Sequence, residues 1–137
     1  MKKHLVLGFL FLLPLLGFAE NRVEAAAQKL ASNWTKDGVE LKSGFDTDGT
    51  QNLVVLAKGG YFPLKMSAKA GVKSVLRVYT NKTADCSRVF QLPEYKVQVV
   101  LPPSGYKEFA IPAQKKGQVL FGVCGMGMYT FEIAFTE

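Results

Sequence analysis

Four sulfur side chains carry the chemistry this sequence offers. Cys124, Met126 and Met128 occupy alternate positions of Val123-Cys124-Gly125-Met126-Gly127-Met128-Tyr129, and Cys86 is the only other cysteine. The two intervening glycines let the backbone turn tightly with no side chain in the way. Methionine is ordinarily a core filler, and Met66, inside a strand-like stretch, reads that way. A thioether at the tip of a glycine-rich loop has little core to fill. Thiolate and thioether together select soft ions, Cu(I) above all. Thioether is not a usual zinc ligand, and iron or Cu(II) would want imidazole or carboxylate. His4 is the only histidine of the chain. Two cysteines in an oxidising compartment also admit a plainer reading, a disulfide with no metal.

The N-terminus places the chain in such a compartment. Lys2 and Lys3 precede an apolar run over residues 5–18, which ends in Gly17-Phe18-Ala19. This is the pattern of a secretory signal peptide cleaved after Ala19. The run is short of the roughly 20 residues a spanning helix needs. A periplasmic or secreted location follows, with no stable membrane insertion after cleavage. His4 leaves with the signal. The exported chain then has no imidazole for a two-histidine, one-cysteine blue copper site, for acid–base catalysis or for a histidine-dependent triad, and it is not expected to be an enzyme. Cleavage leaves 15 basic and 11 acidic residues, a charge of +4. The basic residues are scattered, with Lys115-Lys116 the only adjacent pair. Nucleic-acid binding needs a basic stripe, and none is present.

The elements that must hold the sulfurs are read from pattern. Residues 1–19 are the signal and residues 20–50 a leader or linker. Within it Val23, Ala26, Ala27, Leu30 and Trp34 have helical spacing with little bulk, compatible with a short helix or a loose leader. Turn residues fill 35–51, with a short strand allowed at 39–41. Residues 51–137 form the domain. Strand signals fall at 53–57, 62–68, 72–80, 96–101, 108–111, 118–124 and 129–135, separated by Gly, Pro and Asp turns. In the last of these Tyr129, Phe131, Ile133 and Phe135 alternate with polar or small residues, a strand with one buried and one wet face. Seven short strands with regular turns predict an all-β, antiparallel Greek-key sandwich or barrel. The sulfur loop lies between the last two strands, at one end of it, where rigid scaffolds carry their sites.

Other features read more plainly. Asp85, beside Cys86, is expected to be a solvated charge. Trp34, Phe62 and Tyr129 are candidates to shield a bound copper, although aromatics more often fill cores. Asn33-Trp34-Thr35 and Asn81-Lys82-Thr83 match the glycosylation pattern, without meaning in a bacterial source.

From about residue 53 to 135 the chain resembles the cupredoxin superfamily in its EfeO-type, plastocyanin-like bacterial branch. It looks especially like cupredoxin domains that work with copper-transporting P-type ATPases and Cu(I) chaperones. The resemblance is carried by Gly60-Tyr61-Phe62-Pro63, Lys69-Ala70-Gly71, Tyr79-Thr80-Asn81-Lys82, Cys86-Ser87, Leu101-Pro102-Pro103 and the closing Cys-Gly-Met-Gly-Met-Tyr run. It implies a β-sandwich with the metal at one end. Cys86, five residues after Asn81, stands where blue copper members place their first histidine. Cys124 matches the family's cysteine, and Met126 and Met128 replace its later histidine and axial methionine. The expected ligands are therefore Cys86, Cys124, Met126 and Met128. They would hold copper as Cu(I), one ion, or two if a thiolate bridges. The expected role is chaperoning or sequestration in copper homeostasis, with a copper-transporting P-type ATPase or another copper protein as partner. An electron-transfer or metal-oxidising cupredoxin, linked to iron uptake, is an alternative, as is a metal-free disulfide-stapled binding module.

Overall fold

The computed structural model describes residues 33–36 and 39–136. The strands are β1 (Asn33–Lys36), β2 (Val39–Lys42), β3 (Gly44–Phe45), β4 (Gln51–Ala57), β5 (Tyr61–Phe62) and β6 (Lys65–Lys69), followed by β7 (Ser74–Thr80), β8 (Val89–Leu92), β9 (Val97–Val100), β10 (Gly105–Ile111), β11 (Val119–Cys124) and β12 (Thr130–Thr136). One sheet runs β10-β7-β4-β3, with β5 also on β4; the other runs β6-β12-β11-β8-β9; β1 and β2 form a separate hairpin. Among the described residues there is no α-helix, and two single-turn 3-10 segments flank β8.

Alternation decides which face each strand buries. In β7 Leu76 and Val78 point inward, and in β12 Phe131, Ile133 and Phe135 do. They join Leu53 and Val55 of β4, Phe90 and Leu92 of β8 and Leu120 of β11 in one core between the sheets. The run Leu53-Val54-Val55-Leu56-Ala57 is apolar without alternation because β4 is covered on both faces. Val54 and Leu56 are fully buried on its outer side, packed with Phe62 and Tyr79.

The expected sandwich is present, and its sheets are mixed rather than purely antiparallel. β4 pairs with β7 in parallel, Leu53 opposite Leu76, and β6 pairs with β12 in parallel, Ile133 opposite Met66. The single strand expected over 62–68 is two. Phe62 pairs with Leu56 in one sheet, and Lys65 pairs with Glu132 in the other. Pro63 between them has no N–H to give to a ladder, so the chain changes sheets there. Strand β8 was not expected, although Val89-Phe90-Gln91-Leu92 alternates and buries Phe90 and Leu92. In the stretch expected as leader and linker, Phe45 of β3 pairs with Gln51 of β4. Asn33 and Trp34, at the end of the possible helix, lie in β1; residues 20–32 of that helix and the signal peptide lie outside the described residues.

Aromatic rings fill the end of the core nearest the sulfurs. Tyr61 meets Phe131 edge-on with ring centres 5.2 Å apart and Phe90 at 6.0 Å. Gly122 lies opposite Phe131 on the neighbouring strand, and a Cβ there would lie 2.0 Å from Phe131 Cε1. The absent side chain is what lets that ring lie against β11. Gly122→Ala forces ring or backbone to shift, and overpacking of this kind costs about 1–3 kcal/mol. Denaturant unfolding of the variant should show a lowered midpoint with an unchanged slope.

Candidate metal centre

Cys86 opens a 3-10 turn (Cys86–Arg88) that leads into β8. Asp85 caps this turn. One carboxylate oxygen accepts from the Ser87 amide at 2.9 Å and the Ser87 hydroxyl at 2.6 Å, and the other accepts from the Gly59 amide at 2.8 Å. The Tyr61 hydroxyl donates to the Ser87 carbonyl at 3.1 Å. Thr83 donates from its hydroxyl to the Ala57 carbonyl at 2.7 Å and from its amide to the Pro103 carbonyl at 2.9 Å. The approach to Cys86 is thus tied at Thr83, Asp85 and Ser87 to the β4–β5 connection and to the Pro102-Pro103 turn.

Asp85 is therefore not the solvated charge the sequence reading expected. It is half-buried. Burial pushes its carboxyl up, but the Ser87 hydroxyl and the amides of Ser87 and Gly59 outweigh that and hold it below the usual carboxylate range. The spacing Asp85-Cys86-Ser87, an acceptor followed two residues later by a donor, was the signal in the sequence.

Cys124 is the last residue of β11. Its amide donates to the Tyr129 carbonyl at 2.9 Å, and its carbonyl accepts from the Gly127 amide at 2.8 Å, closing the turn that carries the methionines. Gly127 takes a φ of +71°, the left-handed region that glycine enters without penalty. Gly125 serves a different need. Its amide donates to the Val89 carbonyl at 2.7 Å, and a Cβ there would lie 2.5 Å from Val89 Cγ1. That approach fastens the end of β11 onto the start of β8, three residues past Cys86.

The two loops bring the cysteines together. Cys86 Sγ and Cys124 Sγ are 3.5 Å apart, and both are free thiols. Cys124 is 1% exposed and Cys86 half-buried. The Tyr129 amide donates to Cys124 Sγ at 3.4 Å. Burial pushes the Cys124 thiol up, but the Tyr129 amide, the Cys86 thiol and the amides of Met126 and Met128 outweigh it and hold it below the ordinary value. Burial, then the bond to Cys124, pushes the Cys86 thiol up. Cys86 is accordingly the donor of the pair, and Cys124 the first to become a thiolate.

Met126 and Met128 are 74% and 65% exposed. They are not core residues, in contrast to half-buried Met66, which packs against the core. Tyr129 packs against the core and Phe62 against Val54 and Leu56. Among the described residues no three His, Cys, Asp or Glu side chains gather in a metal-binding cluster; two thiols meet at this end of the sandwich, and Met126 and Met128 follow Cys124 in the turn.

No family model and no curated protein matches the chain. Solved structures do. The metal-binding domain of the Cu(I)-exporting P-type ATPase CopA of Streptococcus pneumoniae, determined with Cu(I), superposes with a TM-score of 0.61 at 18% identity, over 69% of this chain and 93% of that one. The solution structure of a copper binding protein in its apo form matches with a TM-score of 0.59 at 20% identity, over 68% of this chain and 93% of that one. The fold is one that copper-binding domains use. At these identities the likeness is one of fold, and the sulfur chemistry has to be argued from this chain's own residues.

The cap on the Cys86 turn can be tested without metal. Asp85→Ala removes charged hydrogen bonds worth about 1–3 kcal/mol together and should lower the unfolding midpoint of the metal-free domain accordingly. The sign of the pH dependence follows from the lowered carboxyl. Its stabilisation is fully present above the ordinary carboxylate value and is lost as pH falls through the lower, folded-state value. Thermal melts between pH 7 and pH 3 should show a loss in the parent that Asp85→Asn does not share in full.

Proposed function

We propose that this chain is an exported domain that takes copper, as Cu(I), for cargo, through Cys86, Cys124, Met126 and Met128. It holds the ion and hands it on in copper homeostasis. The observation that carries this reading is the meeting of two thiols at 3.5 Å, from loops 38 residues apart, beside a turn that exposes two thioethers. The donor chemistry fits the ion. Two thiolates supply charge, two thioethers supply soft neutral donors, and the set lacks the imidazole that Cu(II) or iron would favour. The solved neighbours support the cargo, since one is described with Cu(I) and the other as a copper binding protein. The first of these is a domain of a P-type exporter, which supports a copper-transporting ATPase as the kind of partner. Export rests on the apolar run over residues 5–18.

The same proximity favours one second reading, a disulfide between Cys86 and Cys124 in an oxidising compartment. Thiolate is the ligand form of cysteine, so the disulfide and the loaded site exclude each other. A thiol count on freshly isolated protein separates the two.

Anaerobic titration of the reduced domain with Cu(I), against a competing chelator, tests the reading. Cys124→Ser should weaken binding most, by more than the roughly 10- to 100-fold that loss of an outer-sphere partner costs at metal sites. Met126→Leu and Met128→Leu should each cost less, because a neutral thioether donates more weakly than a thiolate, and leucine keeps the bulk. Oxidised domain should bind Cu(I) poorly until reduced. If both leucine variants bind as tightly as the parent, the methionines are not ligands. Equal affinity of oxidised and reduced samples would remove the cysteines as well.

A further inference from the structure

We propose that the reduced Cys86–Cys124 pair is also an electron source that converts Cu(II) to Cu(I) and closes into a disulfide as it does so. The inference rests on copper being the cargo and adds the oxidation state in which it arrives. Copper in an aerated, oxidising compartment is Cu(II), whereas the donors here suit Cu(I). A site that offers Cu(II) neither imidazole nor a carboxylate cluster does not store it in that state. It can change it.

The geometry is suited to a two-electron step. Disulfide formation needs the sulfurs at about 2.0 Å, so the pair, at 3.5 Å, has about 1.5 Å to close between two side chains. Both backbones are already held, one by the Asp85 cap and the other by the contact of Gly125 with Val89. Cys86 is half-buried, so an ion can reach it from solvent, while Cys124 lies behind it. The balance is closed. Two S–H bonds break and release two protons, one Cys86–Cys124 S–S bond forms, and the two electrons pass singly to two Cu(II) ions, giving two Cu(I). The exposed thioethers of Met126 and Met128 give no electrons. They are soft donors that receive the product while the thiols are being consumed. The disulfide domain, with no thiolate left, then gives Cu(I) up to a stronger soft acceptor. An external dithiol restores the pair by exchange.

The experiment uses the exported chain, reduced and free of oxygen, mixed with aqueous Cu(II) and an excess of a chromophoric Cu(I) chelator. The chelator colour, the Cu(II) paramagnetic signal, the thiol count and the protein mass are followed together. The parent should yield two Cu(I) per chain, with both thiols lost and an internal disulfide by mass. Its rate constant should not depend on protein concentration. Cys86→Ser should be at least about tenfold slower at micromolar protein, since a tethered partner is presented at roughly millimolar effective concentration. Its rate should also rise with protein concentration. Persistence of Cu(II) with both thiols intact overturns the proposal, as does a Cys86→Ser variant that matches the parent in rate and yield. Tight Cu(I) binding by the same sample without Cu(II) reduction removes this inference and leaves the cargo reading. Reduction with disulfide formation, but no retention of Cu(I) by the reduced domain, keeps the electron step and removes the cargo reading.

Discussion

The sulfur end of this domain depends on how closely the end of β11 lies against the start of β8. The contact is made at Gly125, where the backbone donates to the Val89 carbonyl and where a methyl group would strike the Val89 side chain. Because β8 begins directly after the Cys86 turn, whatever fixes Gly125 against Val89 also fixes Cys124 relative to Cys86. Neither cysteine is placed by its own strand alone. A gap of a few ångströms between the two backbones would leave two isolated thiols, one buried and one half-exposed, with no common chemistry.

A second layer of constraint keeps the Cys86 side from yielding. Short loops that carry function usually trade stability for adaptability, yet this one is pinned by a carboxylate, a buried tyrosine hydroxyl and a buried threonine. The buried Tyr61 links this layer to the core, since its ring meets Phe90 and Phe131 edge-on while its hydroxyl reaches Ser87. Burial raises the hydroxyl's titration far above neutrality and keeps it a donor. The far side of the site is the exposed one, where Met126 and Met128 project from a turn closed by backbone hydrogen bonds of Cys124 with Gly127 and Tyr129. The centre thus pairs a rigid thiol platform with two long, unbranched arms.

Much of this was legible in the residues. The alternation of Phe131, Ile133 and Phe135 named the inward face of β12, and the Gly-spaced sulfurs named the loop. What escaped has physical reasons. β8 is four residues long and opens on a polar turn, so its alternation spans too few positions to stand out from a loop. The parallel pairs left no local mark, because a strand's pattern records which face is buried and not the direction of its neighbour. Asp85 looked like a surface charge because the Gly59 amide, 26 residues away, is brought to it only by the fold, and its local bond to Ser87 leaves a mark of just two residues. The exposure of the two methionines agrees with their setting in a glycine-rich loop.

The parallel pairings carry a consequence in time. β4 must find β7, and β6 must wait for β12, the last strand described, whose partner lies more than sixty residues earlier in the chain. Sheets built on such distant partners close late, after the loop-closure entropy has been overcome. Tyr129, which donates to Cys124 and accepts from it, sits at the mouth of that final strand. A chain that has not yet placed β12 therefore has cysteines but no pair. Their chemistry switches on in the step that completes the sandwich, so the reactive centre and the finished fold are one event.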